Sequence, residues 1–181
     1  MKQLKQLTHR PLYKGRVVDL EVDTVELPNG RTCDLEIVRH PGAAAIVPID
    51  NEGQVLLVRQ HRYATGGDLL EIPAGKLDPR EEPEACARRE VEEETGFAAG
   101  KIKSLGWIWM TPGYSDEKIW LYLAQRLRPT EQRLDADEII TIERLPLAAA
   151  VQAAVAGQIT DAKSVCGLLR AAHILQKGRL P

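Results

Sequence analysis

The sequence predicts an α/β protein, a mixed sheet packed by helices with antiparallel strands ahead of it. Three observations carry that expectation. Short runs alternating apolar and polar residues recur along the chain. A polar helical stretch, residues 83–95, interrupts them. Two apolar helical stretches close the chain. This order differs from the regular winding of βαβ units.

The elements follow in order. Residues 16–27, RVVDLEVDTVEL, alternate at period two, Pro28-Asn29-Gly30 supplies turn chemistry, and TCDLEIVRH resumes the strand pattern. Residues 1–40 are therefore expected to form an N-terminal β-hairpin segment ahead of a domain spanning 41–181. GAAAIVPI, a turn at Asp50-Asn51-Glu52-Gly53, and QVLLVRQHRY read as strand, turn, strand. LLEIPAG is a short strand ending in a Pro/Gly loop. Pro83 suits a first helical turn and Gly96 a helix stop, with Ala85, Ala87 and Val91 as the small apolar side between them.

IKSLGWIWM and IWLYLAQRL are two further strands, separated by TPGYSDEK. Trp107 and Trp109 alternate with Ile108; one face is expected on the core and the other on a partner or substrate. DEIITIERL is a shorter strand, and PLAAAVQAAVAG is a helix. DAKSVCGLLRAAHILQKG is the last helix, with Asp161 as N-cap and Gly178 as stop. Val165, Leu168, Leu169 and Ala172 share its core face, or else a dimer surface.

Composition excludes several classes. A chain of 181 residues with 44% hydrophobic content suits one compact domain with a core. A net charge of −2 offers no basic surplus, so no nucleic-acid partner is expected. The longest apolar run is far short of a membrane span, and the N-terminus has no apolar signal region. No membrane partner is expected, and the location is read as cytoplasmic. Cys33, Cys86 and Cys166 are odd in number and far apart, which fits free thiols in a reducing compartment. His9, His40, His61 and His173 form no ligand spacing along the chain and are given no catalytic role.

The chemistry lies in GKLDPREEPEACARREVEEETGF, residues 75–97. Seven glutamates fall between Glu81 and Glu94. Like charges at i and i+4 destabilise a helix by roughly 0.2–0.5 kcal/mol, and Glu90 and Glu94 stand so. Either the face is solvated or a positive charge neutralises it. Glu90, Glu93 and Glu94 share one helix face, so their carboxylates can converge on one ion. An oxygen-only donor set suits Mg²⁺, with Mn²⁺ as substitute, rather than zinc.

Gly75, five residues, Glu81, seven residues, then REVEEETGF over 89–97 fills every position of the Nudix box, and the chain resembles the Nudix hydrolase family on that ground. The resemblance implies an α/β/α sandwich around a mixed sheet, and metal-dependent hydrolysis of nucleoside diphosphates linked to another moiety. By position it implies Glu90 and Glu94 as metal ligands, Glu93 as ligand or acid/base group, and the Ala74 carbonyl as a further ligand. It implies Arg89 as the residue orienting a box glutamate. Glu81 supports the loop–helix geometry or touches metal through water.

VRQHRY, LLEIPAGKLD and PGYSDEK, with Pro112 about fifteen residues past the box, resemble the ADP-ribose pyrophosphatase and nucleoside diphosphate sugar hydrolase subgroup. That resemblance implies Arg62 on a phosphate, Glu117 on a ribose hydroxyl and Glu71 near the site entrance. It implies a catalytic base or further ligand from LDADEII, where Glu138 matches best and Asp135 and Asp137 are alternatives. It also implies a homodimer in which the N-terminal segment reaches the partner's site. Arg16 stands where that segment often carries a base-stacking aromatic residue, so Arg16 stacks on the base or the base is read otherwise. The leading function is Mg²⁺-dependent hydrolysis of ADP-ribose or a related nucleotide sugar. The alternatives are a diadenosine polyphosphate, coenzyme or deoxynucleotide triphosphate hydrolase, and a catalytically silent nucleotide-binding regulator.

Overall fold

The computed structural model describes residues 4–136 and 138–177. The chain divides into two units, one running up to Gly42 and including Trp109–Lys118, the other holding the rest.

The N-terminal unit is a three-stranded antiparallel sheet in the order β1 (Lys5–Lys14), β2 (Asp19–Glu26), β3 (Thr32–Arg39). The expected hairpin is β2–β3, in register from Asp19↔Arg39 to Glu26↔Thr32. Its turn closes through the Gly30 N–H on Leu27 O at 2.9 Å, with Gly30 at φ 80°. β1 is an element the sequence did not announce. KQLTHRPLYK lacks alternation, and its register shifts between Pro11 and Tyr13, because a proline has no N–H for the ladder. The 109–118 excursion is tied to β3 by Val38 N–H to Tyr114 O at 2.8 Å and by Arg39 Nη1 to Asp116 Oδ2 at 3.1 Å.

The second unit is built around β4 (Ala43–Pro48), buried at all six positions. β4 runs antiparallel to β7 (Ala74–Lys76) and parallel to β9 (Lys118–Pro129), which makes the sheet mixed; β8 (Phe97–Trp109) completes it in the order β7-β4-β9-β8. A second sheet has the order β10 (Ile140–Pro146), β5 (Gln54–Arg62), β6 (Gly67–Glu71), all antiparallel. β4 and β5 follow each other but pair in different sheets, with the isolated bridge Ile49↔Val55 just past the end of β4, so the strand–turn–strand stretch feeds two sheets. LLEIPAG likewise splits into β6 and β7 around Pro73, whose carbonyl accepts from Ile46 N–H at 2.9 Å.

Helices cover both faces of β4, the expected α/β/α sandwich. Ala44 and Ile46 pack with Cys86, Ala87 and Val91 of α1 (Pro83–Thr95). On the other side comes α3 (Ala162–Lys177), which also packs on α2 (Leu147–Val155). A Cβ on Gly167 of α3 would stand 2.9 Å from Ile72 Cδ1 and 3.1 Å from Val47 Cγ2, so glycine permits the close approach. Gly96 ends α1 at φ 70°, its N–H on Glu92 O at 2.9 Å. Asp161 caps α3, accepting from Ser164 N–H at 3.0 Å. Gly178 lies outside the described residues.

Some side chains lie elsewhere than expected. Ala85 is exposed and Cys86 takes its place on the buried side of α1. Leu169 is exposed; the core face of α3 runs through Lys163, Gly167 and Ala171 with Ser164 and Leu168. Trp107 and Trp109 are both half-exposed. Among the described residues no helix is long and apolar enough to cross a membrane, and Cys33, Cys86 and Cys166 are free.

Candidate active site

β7 leaves the sheet at Lys76, and a loop returns the chain to Pro83. That loop closes on itself. Asp78 N–H donates to Glu81 Oε2 and Glu81 N–H to Asp78 O, each at 3.0 Å. Arg89 grips the same glutamate through Nε and Nη2, both at 3.0 Å. Its Nη1 donates to Glu90 Oε1 at 2.6 Å and to Glu93 Oε2 at 3.2 Å. One planar guanidinium therefore orients three carboxylates. The hydrogen bonds to Glu81, and then the charge of Glu90, hold the Arg89 pKa above the ordinary arginine value despite burial.

Gly75 lies against the same group. A Cβ there would fall 1.8 Å from Glu90 Oε1, so any other residue drives the carboxylate away. Glu90 and Glu94 are 8% and 3% exposed. Glu94 Oε2 accepts from Ala74 N–H at 3.3 Å, which sets residue 74 beside the carboxylates. Burial raises the Glu90 pKa to about 7, with Arg89 opposing and Glu93 and Glu138 adding repulsion. Burial, then the charges of Glu90 and Glu138, raise Glu94 well above the usual carboxylate range. The donors are all oxygen, two are buried, and their negative charge exceeds what Arg89 cancels. This set fits a hard divalent cation.

Glu138 is half-buried, and its charge is among those felt by both buried glutamates. A reciprocal pair holds it: Glu138 N–H to Asp135 O at 3.0 Å and Asp135 N–H to Glu138 Oε2 at 3.2 Å. Asp135 is exposed, and Asp137 lies outside the described residues. Arg62 donates through Nε and Nη2 to the two Glu71 oxygens at 2.8 and 2.7 Å. Glu71 was expected near an entrance; it is buried, 2% exposed. Burial alone would raise its pKa, but Arg62 and Lys163 bring it to about 2.

Arg16 and Glu117 belong to the N-terminal unit. Arg16 lines a pocket of about 320 Å³ with Lys14, Asp19, Arg39 and His40. Glu117 Oε1 stands 4.0 Å from His40 Nδ1. In that unit His9, Glu21 and Asp23 also come together, a grouping that chain spacing hid because it arises across the β1–β2 ladder. Arg39 bonds both acids there and supplies the counter-charge.

Sequence reasoning missed Lys163, buried in α3. Its signal was a lysine at i, i+4 and i+8 spacing with Gly167 and Ala171, on the small-residue face of an otherwise apolar helix.

Residues 38–165 match the NUDIX domain family. The chain is 39% identical to the ADP-ribose pyrophosphatase of Bacillus subtilis (strain 168), over 91% of this chain and 91% of that protein. It is 43% identical to the methanol dehydrogenase activator of Bacillus methanolicus, over 89% and 88%. Its fold is similar to a crystal structure described as an ADP compounds hydrolase, with a TM-score of 0.87, 26% identity and coverage of 99% and 98%.

Proposed function

The chain belongs to the NUDIX domain family, and from that premise we propose that it hydrolyses the pyrophosphate bond of ADP-ribose or a related nucleoside diphosphate sugar, with Mg²⁺ as cofactor and Mn²⁺ as substitute. The observation that carries the reading is the Arg89-oriented carboxylate group against Gly75. Glu90, Glu94, Glu93 and the Ala74 carbonyl would hold the cation. When bound, such an ion neutralises the diphosphate and lowers the pKa of water.

The chain's own residues do the rest. Arg89 keeps Glu90 and Glu93 in place while Glu81 anchors Arg89. Glu138 accepts the proton of the attacking water, its backbone ties to Asp135 fixing the carboxylate. Arg62 presents positive charge to a phosphate, Glu117 takes a ribose hydroxyl, and Arg16 stacks on the base. Water adds across one P–O bond of the bridge, so ADP-ribose yields AMP and ribose 5-phosphate.

We assign residues 1–40 to dimerisation and 41–181 to the hydrolase domain. The support is β1, an edge strand exposed at all ten positions and bearing Leu7, Leu12 and Tyr13. The free thiols favour a cytoplasmic location.

The test is incubation with Mg²⁺ and a panel of ADP-ribose, GDP-mannose, ADP-glucose, diadenosine polyphosphates and deoxynucleotide triphosphates, with products identified. AMP and ribose 5-phosphate from ADP-ribose are the expected products, and cleavage confined to the last two classes overturns the assignment.

A further inference from the structure

One buried charge network lies outside the box. Lys163, 7% exposed, stands in the first turn of α3. Its Nζ donates to Glu71 Oε2 at 2.5 Å and lies 3.0 Å from Asp161 Oδ2. Glu71 meanwhile holds Arg62 on two bonds. Asp161 Oδ2 accepts from the Ser164 N–H and hydroxyl, at 3.0 and 2.5 Å. Ser164 Oγ in turn accepts from Ile72 N–H, next to Glu71 in the chain, at 2.8 Å. Charges thus alternate through Arg62, Glu71, Lys163 and Asp161, and a second tie fixes the helix beside Glu71.

Stability alone does not call for such a group, because apolar replacements of buried ion pairs are often neutral or stabilising. The line ends, however, at a half-exposed arginine. The bonds to Glu71 use Nε and Nη2 of Arg62, and Nη1 lies outside the pair. With Arg62 as its sole partner, Glu71 would cancel that cation. With Lys163 on Oε2 and Asp161 on Lys163, the four charges still cancel in sum; what Lys163 adds is a second hold on the Glu71 carboxylate, and through it on the direction of Arg62. The charge of Lys163 also acts on Glu94, and that of Glu94 on Arg62, so both cations lie within reach of the acidic group.

We infer that Lys163 is a positioning residue: through Glu71 it fixes the Arg62 guanidinium for the diphosphate of the substrate. The inference rests on the proposed phosphate-holding role of Arg62. Lys163 itself touches neither substrate nor reacting atoms.

The test is a cycle of Lys163→Met, Glu71→Gln and the double variant, on the full chain. Three quantities are read: KM and kcat for ADP-ribose with Mg²⁺, Kd of inorganic pyrophosphate with Mg²⁺ by calorimetry, and Tm. K163M is expected to raise KM and Kd about 10-fold or more, with kcat changed less than about threefold. In the E71Q background it should add less than about twofold, because its route of action is gone. Unchanged KM and Kd in folded K163M overturn the inference whatever the Tm, since the network then only holds α3 down. Multiplicative effects overturn it too, since Lys163 then acts by another route. If K163M does not fold, E71Q and E71Q/K163M are compared with wild type; KM and Kd raised about 10-fold in both, and equal between them, support the inference, while wild-type values in E71Q or a difference above about twofold between the two variants overturn it. A wild-type chain that hydrolyses none of the panel ends the functional reading alone, and the pyrophosphate cycle still decides this one.

Discussion

Arg89 and Gly75 show how much single residues decide here. A repeated glutamate along a helix is ordinarily a solvated face, yet Glu90 and Glu94 are buried. What set Gly75–Phe97 apart from such a face in the sequence was its resemblance to the Nudix box; the burial itself became visible only in the structure. Glu94→Gln is expected to cut turnover by orders of magnitude while the metal-free Tm holds or rises, since a neutral amide replaces a group that burial already drives toward its neutral form. Steady-state kinetics with a thermal melt checks both halves. Gly75→Ala is expected to lower kcat/KM by about 10- to 100-fold, because the new Cβ would sit 1.8 Å from Glu90 Oε1. A wild-type rate in that variant would contradict the placement of Glu90.

At the scale of elements, α1 carries a pH signature. The folded Glu90 pKa, about 7, exceeds its reference of 4.5, so the native state binds more protons in that window. Stability of the metal-free protein should therefore fall as pH rises from about 4.5 to about 7. Cation binding should release protons, seen as a calorimetric enthalpy that varies with the buffer's ionisation enthalpy at about pH 6.5. For α3, Asp161→Ala removes the cap and should cost about 1 kcal/mol or more in urea unfolding. Both helices were legible in sequence through Pro83, Gly96 and Asp161, whose backbone roles are local. β1 was not, since Pro11 breaks its alternation and its partner β2 supplies the ladder. Leu169 and Ala85 misled because apolar spacing names a stripe and not its centre. Arg62 was read as a phosphate ligand; its bond to buried Glu71 needed the β5–β6 register to become visible.

For the whole molecule, sedimentation of the 20.1 kDa chain is expected to give a dimer, and removal of residues 1–40 a monomer. The mixed sheet between helices was readable from element order, whereas its division into separate sheets depended on which strands pair, a non-local matter. Separation along the chain also orders events in time. Lys163 lies 92 residues beyond Glu71, and Glu71 precedes the whole acidic helix. A ribosome therefore releases the acidic helix well before the lysine that pairs with Glu71. The Glu71 carboxylate is thus made early and meets its lysine only once the last helix has emerged.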